Sequence, residues 1–282
     1  MLEFIKKEDL RNHLEILHRN GQKVGFVPTM GALHQGHISL IEKSKSQTEA
    51  TLASIFVNPT QFNDKTDFDN YSVTIDADRK KLNDARCDIL FLPSVGEIYP
   101  NGVHESFNIS FGNLENKLEG AYRPDHFKGV GNVVKRLLEI VEPDVLYLGQ
   151  KDYQQYLVIK SLIAQLSMNI EIELCPVIRE ADGLAMSSRN VRLTPVERKI
   201  AATLSQILFE LKDQAFKKPM KELRQWAHDS INETPGMSVQ YFEFADRDDL
   251  TILDDWNDSN RIIVVAVVLV GNVRLLDNII IC

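Results

Sequence analysis

His34 and His37 flank Gln35 and Gly36 in the segment from Pro28 to His37. An apolar, strand-like run (Val24 to Val27) precedes that segment, and a helix-like one (Ile38 to Ser46) follows it. Two imidazoles at a strand-to-helix turn can donate hydrogen bonds to phosphate oxygens lying near the positive end of the helix dipole. Gly36 would let a nucleotide come close to the backbone, because it has no Cβ. An inconsequential pair of loop histidines would look the same in isolation, so the reading depends on the other polar segments of the chain.

Four such segments stand out. Phe56 to Phe62 ends a strand-like run and presents two amides, Asn58 and Gln61. Each can donate and accept, which suits a ligand bearing carboxylate and hydroxyl groups; a simple Asn-Pro turn is the alternative. Tyr122 to Gly129 puts Arg123, His126 and Lys128 in a short loop before a helix. An arginine there can grip a phosphate or carboxylate bidentately, and a solvated charge cluster is the alternative. Leu148 to Gln155 follows a strand and opens a helix. Gly149 permits close backbone approach, Lys151 offers a compact positive charge, and Asp152 can cap the helix. Gln155 lies one helical turn beyond Lys151, so both can face one cleft. In Ala185 to Asn190, the hydroxyls of Ser187 and Ser188 and the Arg189 guanidinium are phosphate ligands. The nearby Arg192 makes a plain serine-rich linker less natural. No Gly-x-x-x-x-Gly-Lys-Ser/Thr loop occurs, Gly129-Val130-Gly131 follows no convincing strand, and no nucleophilic triad is visible. His13, His18, His104 and His228 have no motif around them and read as structural or surface residues.

The elements that must position these groups alternate. Leu10, Leu14 and Leu17 mark a helix face that Gly21 can end. Strand-like runs at Val24 to Val27, Thr51 to Val57, Ile89 to Leu92, Val145 to Leu148 and Ile170 to Leu174 are separated by helix-like ones. The helix-like runs are His37 to Ser46, Thr74 to Ala85, His126 to Val141 and Tyr153 to Leu166. Asn108 to Phe111 reads as a further short strand. This βα alternation predicts an α/β fold: a Rossmann-like parallel sheet with helices on both faces, binding ligands at the carboxyl ends of its strands. After Pro176 the character changes. Thr194-Pro195-Val196-Glu197 is a capping box that starts a long helix, predicted to run through about Ala215. A helix near Met220 to Asn232, a turn at Glu233 to Gly236, and strands at Val239 to Phe244 and Ile262 to Leu269 complete a smaller α+β domain. The expected domains are therefore residues 1–176 and 177–282.

Bulk properties are those of a globular protein. The chain has 282 residues, 44% of them hydrophobic, and a net charge of −8, which argues against a general nucleic-acid binder. Met1 to Lys7 shows no long apolar region after a basic start, so no secretory signal is read there. The longest apolar run, Ile262 to Val270, is far short of the roughly 20 residues of a membrane span and reads as a buried strand. Cys87, Cys175 and Cys282 form no Cys-x-x-Cys pair, which predicts two buried thiols and one terminal thiol in a reducing cytoplasm rather than a zinc site.

Taken together, the segments Pro28 to His37, Phe56 to Phe62, Tyr122 to Gly129, Gly149 to Gln155 and Met186 to Asn190 resemble the pantothenate synthetase (pantoate–β-alanine ligase) family, in the family's order. The resemblance implies a HIGH-type nucleotidyltransferase fold related to class I aminoacyl-tRNA synthetases, with Ser187-Ser188-Arg189 as the counterpart of their mobile phosphate loop. It implies condensation of pantoate with β-alanine, driven by ATP through a pantoyl-adenylate, with release of AMP and pyrophosphate. Carried over by position, Met30, Gly31, Ala32, Leu33, His34, Gln35, Gly36 and His37 would contact ATP, with His37 as proton donor. Gly149, Gln150, Lys151, Asp152, Ile178, Met186, Ser187, Ser188 and Arg189 would line the same ATP site, and Ile178 stands where the family often has valine. Gln61 and Gln155 would hold pantoate, while Arg123 and His126 match a loop near the substrates. Magnesium and a homodimer are also implied, and Asp78 is a candidate contact for the metal, set against its reading as a solvated residue of a charged helix. Because an acyl-adenylate hydrolyses in water, the resemblance further suggests closure of the Ser187 loop or of the C-terminal domain over the site. Two rivals stay open at this point. Another nucleotidyltransferase would leave a nucleotidyl product in place of AMP and an amide, and a nucleotide sensor would bind ATP without turnover.

Overall fold

The structure, a computed structural model, describes residues 1–61, 74–103 and 107–282. Phe62 and His104 lie outside them. The chain divides into two compact units: Met1–Gly149 with Gln154–Pro176, and Gln150–Tyr153 with Val177–Cys282.

In the first unit six strands form one all-parallel sheet: β1 (Leu2–Phe4), β2 (Val24–Thr29), β3 (Ala50–Ile55), β4 (Ile89–Phe91), β5 (Val145–Gly149) and β6 (Glu171–Cys175). Their order is β1-β4-β3-β2-β5-β6. Alternate side chains of a strand point to opposite faces, and two separate cores result. Phe26, Leu52, Phe91, Leu146 and Leu148 pack with α1 (Lys7–Arg19), α4 (His126–Val141) and α5 (Tyr153–Gln165). Val27, Ala53, Ile55, Leu90 and Tyr147 pack with α2 (Gln35–Lys45) and α3 (Ile75–Asp84). The order reverses at β2, which has β3 on one side and β5 on the other. The crevice outside the carboxyl ends of such a pair is where a doubly wound sheet receives a ligand. Met30 and Gly31 leave β2 there, and Gly149 ends β5.

The second unit has a three-stranded antiparallel sheet, β7 (Met237–Asp246), β8 (Ile262–Val270) and β9 (Val273–Ile280), in the order β7-β8-β9. Phe242, Phe244, Val264, Ala266 and Val268 meet the apolar stripes of α7 (Thr203–Gln214) and α8 (Met220–Glu233) in its core. The long apolar run is the central strand, buried along nearly all its length.

Three sequence expectations change. Asn108 to Phe111 is not a strand. Its alternation is satisfied by packing instead: Phe111 is buried, and Phe107 and Ile109 lean on the same core. The helix begun by the Thr194 capping box is divided into α6 (Pro195–Ala201) and α7 at Ala202. There the Ser205 hydroxyl takes the Ala202 carbonyl at 2.9 Å, the local competition that serine offers a helix ladder. Strands β1 and β9 add to the expected set: the first has three residues, and the second is interrupted by Asp277 and Asn278, so neither shows in the apolar pattern.

No helix among the described residues is long and apolar enough to cross a membrane. The three cysteines are free, with Cys87 and Cys175 buried and Cys282 exposed. Burial pushes each of the two buried thiols up to about 11.

Candidate active site

The histidine segment is built as a chain of saturated hydrogen bonds. At the end of β2 the Thr29 hydroxyl donates to the Ser54 carbonyl at 2.8 Å and accepts the Gly31 N–H at 3.2 Å. Gly31 (φ 84°) and Ala32 (φ 49°) are both left-handed. The Ala32 and Leu33 N–H groups donate to the two oxygens of Asp78 at 2.9 and 2.8 Å, and the Thr74 hydroxyl adds a third bond at 3.0 Å. The Lys81 ammonium donates to the Leu33 carbonyl.

This placement corrects both sequence readings of Asp78. It is 0% exposed, so it is not a solvated helix residue. Its oxygens are taken by backbone and hydroxyl donors, so it is not disposed as a magnesium ligand. Among the described residues no group of three or more His, Cys, Asp or Glu side chains is arranged to hold a metal ion. These residues do not fit a protein-built magnesium cage.

Beyond Leu33, His34 caps α2 with extended backbone angles (φ −132°, ψ 177°). Its Nδ1 accepts the Gly36 N–H at 3.1 Å, and the His37 Nδ1 accepts the His34 N–H at 3.2 Å. This is a capping box in which imidazoles replace the usual hydroxyl and carboxylate. An Nδ1 that accepts carries no hydrogen, so each neutral ring bears it on Nε2. The ring centroids lie 4.1 Å apart. The amides of residues 34 and 36 serve the cap.

The amide segment is held from several sides. Asn58 is 1% exposed. Its Oδ1 accepts the Tyr99 hydroxyl at 2.8 Å, and its Nδ2 donates to the Gly129 carbonyl and to Gln61 Oε1, both at 3.2 Å. Burial pushes the Tyr99 hydroxyl's pKa up, which keeps it a donor. Gln61 Nε2 reaches Met30 Sδ at 2.9 Å. Arg123 Nη1 lies 3.1 Å from His126 Nε2, and His126 Nδ1 lies 2.9 Å from the Gln61 carbonyl. A guanidinium has donors alone, so Nε2 accepts and Nδ1–H donates. At Gly129 a Cβ would stand 2.3 Å from the Thr60 carbonyl, so α4 packs against this turn only as glycine. Asn58 and His126, expected near the substrates, are both buried and both bond to Gln61. Gln155 is half-buried in the first turn of α5, while its neighbour Gln154 is buried and braces Leu114 and Lys117.

In the second unit, one pair of residues that sequence reading missed organises two groups of candidates. Asn278 Nδ2 donates to the carbonyls of Gln150 and Lys151, both at 2.9 Å, and its Oδ1 accepts from the Gln150 amide. Lys151 pairs with Asp152 at 2.9 Å. Asp277, 2% exposed, takes both Arg179 nitrogens at 2.6 and 2.9 Å. Arg179 lies in a short ribbon in which the Met186 N–H donates to the Ile178 carbonyl at 2.9 Å, so these two candidates are hydrogen-bonded neighbours. The ribbon runs into Ser187, whose hydroxyl accepts the Arg189 N–H at 3.2 Å and caps the 3₁₀ turn Ser188–Arg192. Asn190 ties that turn to Glu180 (2.8 Å) and to the Ala185 carbonyl (3.1 Å), and Arg198 holds Glu180 and Asp182 in turn. The Arg198 partnership keeps the Asp182 carboxyl below its ordinary range. The signal for Asp277 and Asn278 is two polar residues inside an otherwise apolar strand run.

Fold and geometry define a doubly wound α/β protein whose histidine-capped helix starts at the switch point of its sheet. The chain belongs to the pantoate-beta-alanine ligase family, whose model matches residues 3–280. It is 44% identical over 272 residues to a pantothenate synthetase of Bacteroides fragilis, covering 96% of each chain. To that of Cytophaga hutchinsonii it is 42% identical over 283 residues, covering 100% of this chain and 99% of the relative. The crystal structure of pantothenate synthetase from Thermus thermophilus superposes with a TM-score of 0.92 at 35% identity, covering 100% of this chain and 99% of that one. A pantoate-beta-alanine ligase from Francisella tularensis, complexed with beta-gamma ATP and beta-alanine, gives 0.81 at 38% identity, covering 99% and 97%.

Proposed function

We propose that this chain condenses (R)-pantoate with β-alanine to pantothenate at the expense of ATP, through a pantoyl-adenylate. The observation that carries the chemical reading is the two-imidazole capping box at the end of β2. A carboxylate repels an amine and is a poor acyl electrophile, so it is activated first. A pantoate carboxylate oxygen attacks the α-phosphorus of ATP, the bond to the β-phosphate breaks, and pyrophosphate leaves in line. The β-alanine amine then attacks the acyl carbon, the carbon–oxygen bond to the phosphate breaks, the amine gives up a proton, and AMP leaves.

Catalysis of the first step is mainly positioning and charge stabilisation. From the first unit, His34 and His37 donate through Nε2–H to phosphate oxygens, and the segment from Met30 to Gly36 and Gly149 approach the nucleotide closely. Gln61 and Gln155 hold pantoate, and Asn58, His126 and Arg123 hold Gln61. From the second unit, Lys151, Ser187, Ser188 and Arg189 offset triphosphate charge, while Gln150, Asp152, Ile178 and Met186 complete the nucleotide contacts. Magnesium enters as part of the nucleotide substrate, keeping most of its waters. We place the enzyme in the cytoplasm as a homodimer; the free thiols support the former and the family resemblance the latter.

The test is pantoate-dependent exchange of labelled pyrophosphate into ATP, with magnesium and without β-alanine. Exchange is expected. If none occurs, and the full mixture yields neither AMP nor an amide while ATP still binds, the ligase reading is wrong and a nucleotide sensor takes its place.

A further inference from the structure

We propose that Asp78 and Lys81 are positioning residues for adenylate formation, acting on His37 through the backbone of Gly31–Leu33; this rests on the ligase reading above. The two residues stand three apart on α3, on one face of the helix. Asp78 grips the Ala32 and Leu33 N–H groups, and Lys81 grips the Leu33 carbonyl. That carbonyl belongs to the same peptide unit as the His34 N–H, which donates to His37 Nδ1. A line of hydrogen bonds therefore runs from the Lys81 ammonium through one peptide to the imidazole. A cation on the carbonyl polarises the peptide and strengthens its N–H as a donor. The consequence at His37 is a ring fixed in orientation, with Nδ1 held as the acceptor and the hydrogen held on Nε2.

Asp78 supplies the second half of the device. Gly31 and Ala32 are consecutive left-handed residues, and alanine adopts that conformation at a cost. Three donors converge on the fully buried Asp78 side chain, so its oxygens are satisfied within the protein. A Cβ at Gly31 would stand 3.1 Å from Asp78 Oδ2, so the loop is laid directly on the carboxylate. The strained loop and the buried side chain thus require one another, and together they set where α2 begins.

The test compares wild type with Asp78→Asn and Lys81→Met. Asparagine keeps the shape of Asp78 but turns an NH₂ toward one of two backbone donors. Methionine keeps most of the apolar stem of Lys81 and loses its charge. Three readouts are taken: pyrophosphate exchange, the reaction of β-alanine with synthetic pantoyl-adenylate, and the imidazole ¹⁵N spectrum. Exchange is expected to fall at least ~10-fold in Asp78→Asn and ~3-fold in Lys81→Met, with the KM for ATP and pantoate nearly constant, below the ~100-fold scale of removing a direct donor. The step from synthetic adenylate should stay within about twofold, and the His37 Nδ1 resonance should move away from the acceptor form. Equal losses in both half-reactions would mark the pair as merely structural. Unchanged imidazole spectra with wild-type exchange in both variants would overturn the clamp while leaving the ligase reading intact. A wild-type protein inactive in the full mixture would overturn that reading, and this proposal with it.

Discussion

The histidine turn and the Ser187 turn, both proposed above to face phosphate, are held by opposite means. The former rests on a buried carboxylate, and its N–H groups at residues 31–34 and 36 are all paired with side chains. The latter is a 3₁₀ turn tied through Asn190 to Glu180 and Arg198, both of which are only partly buried, and its Val191 is 81% exposed. Bonds near water are weaker and exchange partners readily, so local opening concentrates in such segments. One turn is held rigidly from within, while the other is open to local rearrangement.

The strongest way to break the contrast is at the root of the adaptable turn. Arg179→Met leaves the buried Asp277 carboxyl without its partner, and the second unit should lose about 3–5 kcal/mol in denaturant unfolding. A loss under ~1 kcal/mol would show that the ribbon carrying Ile178 and Met186 is secured elsewhere.

Next in size is His37→Ala, which removes a proposed phosphate donor and a cap acceptor together. Single-turnover adenylate formation should slow at least ~100-fold, while stability falls only by about 1 kcal/mol, the scale of a lost helix cap. An unchanged first step would remove His37 from the mechanism.

A milder intervention sharpens the comparison. Asn190→Ala should raise the KM for ATP several-fold and speed tryptic cleavage after Arg189 and Arg192. The contrast itself predicts that in wild type the Ala32 and Leu33 amides exchange with deuterium far more slowly than those of Arg189 and Asn190. Comparable rates would erase it.

The smallest effect concerns the thiols. With Cys87 and Cys175 buried and held up to about 11, a thiol reagent at neutral pH should label Cys282 alone until the protein unfolds.

Much of this is legible in the sequence because it is local. α4 keeps its apolar face over sixteen residues and begins and ends where its periodicity does, at His126 and Val141. The polar segments at the carboxyl ends of β2, β3 and β5 stand out because residue type and strand end coincide there. What escapes depends on distant partners. Asp78 sits 45 and 46 residues from the amides it holds, so a helix pattern shows only its charge. Asn58 and His126 carry ligand-like side chains, but Tyr99, Gly129 and the Gln61 carbonyl consume them from elsewhere along the chain. β9 is hidden by the very pair, Asp277 and Asn278, that its strand exists to deliver.

That pair also has a consequence in time. Lys151 and the asparagine that holds its carbonyl are 127 residues apart. At a ribosomal pace of about 5–20 residues per second, roughly 6 to 25 s separate their emergence from the tunnel. From Cys175 onward the sheet of the first unit is complete in sequence, while the turn bearing Lys151 still lacks its Asn278 partner. A nascent chain can thus acquire its histidine turn early, but the turn bearing Lys151 gains its two Asn278 bonds only when synthesis has passed Asn278.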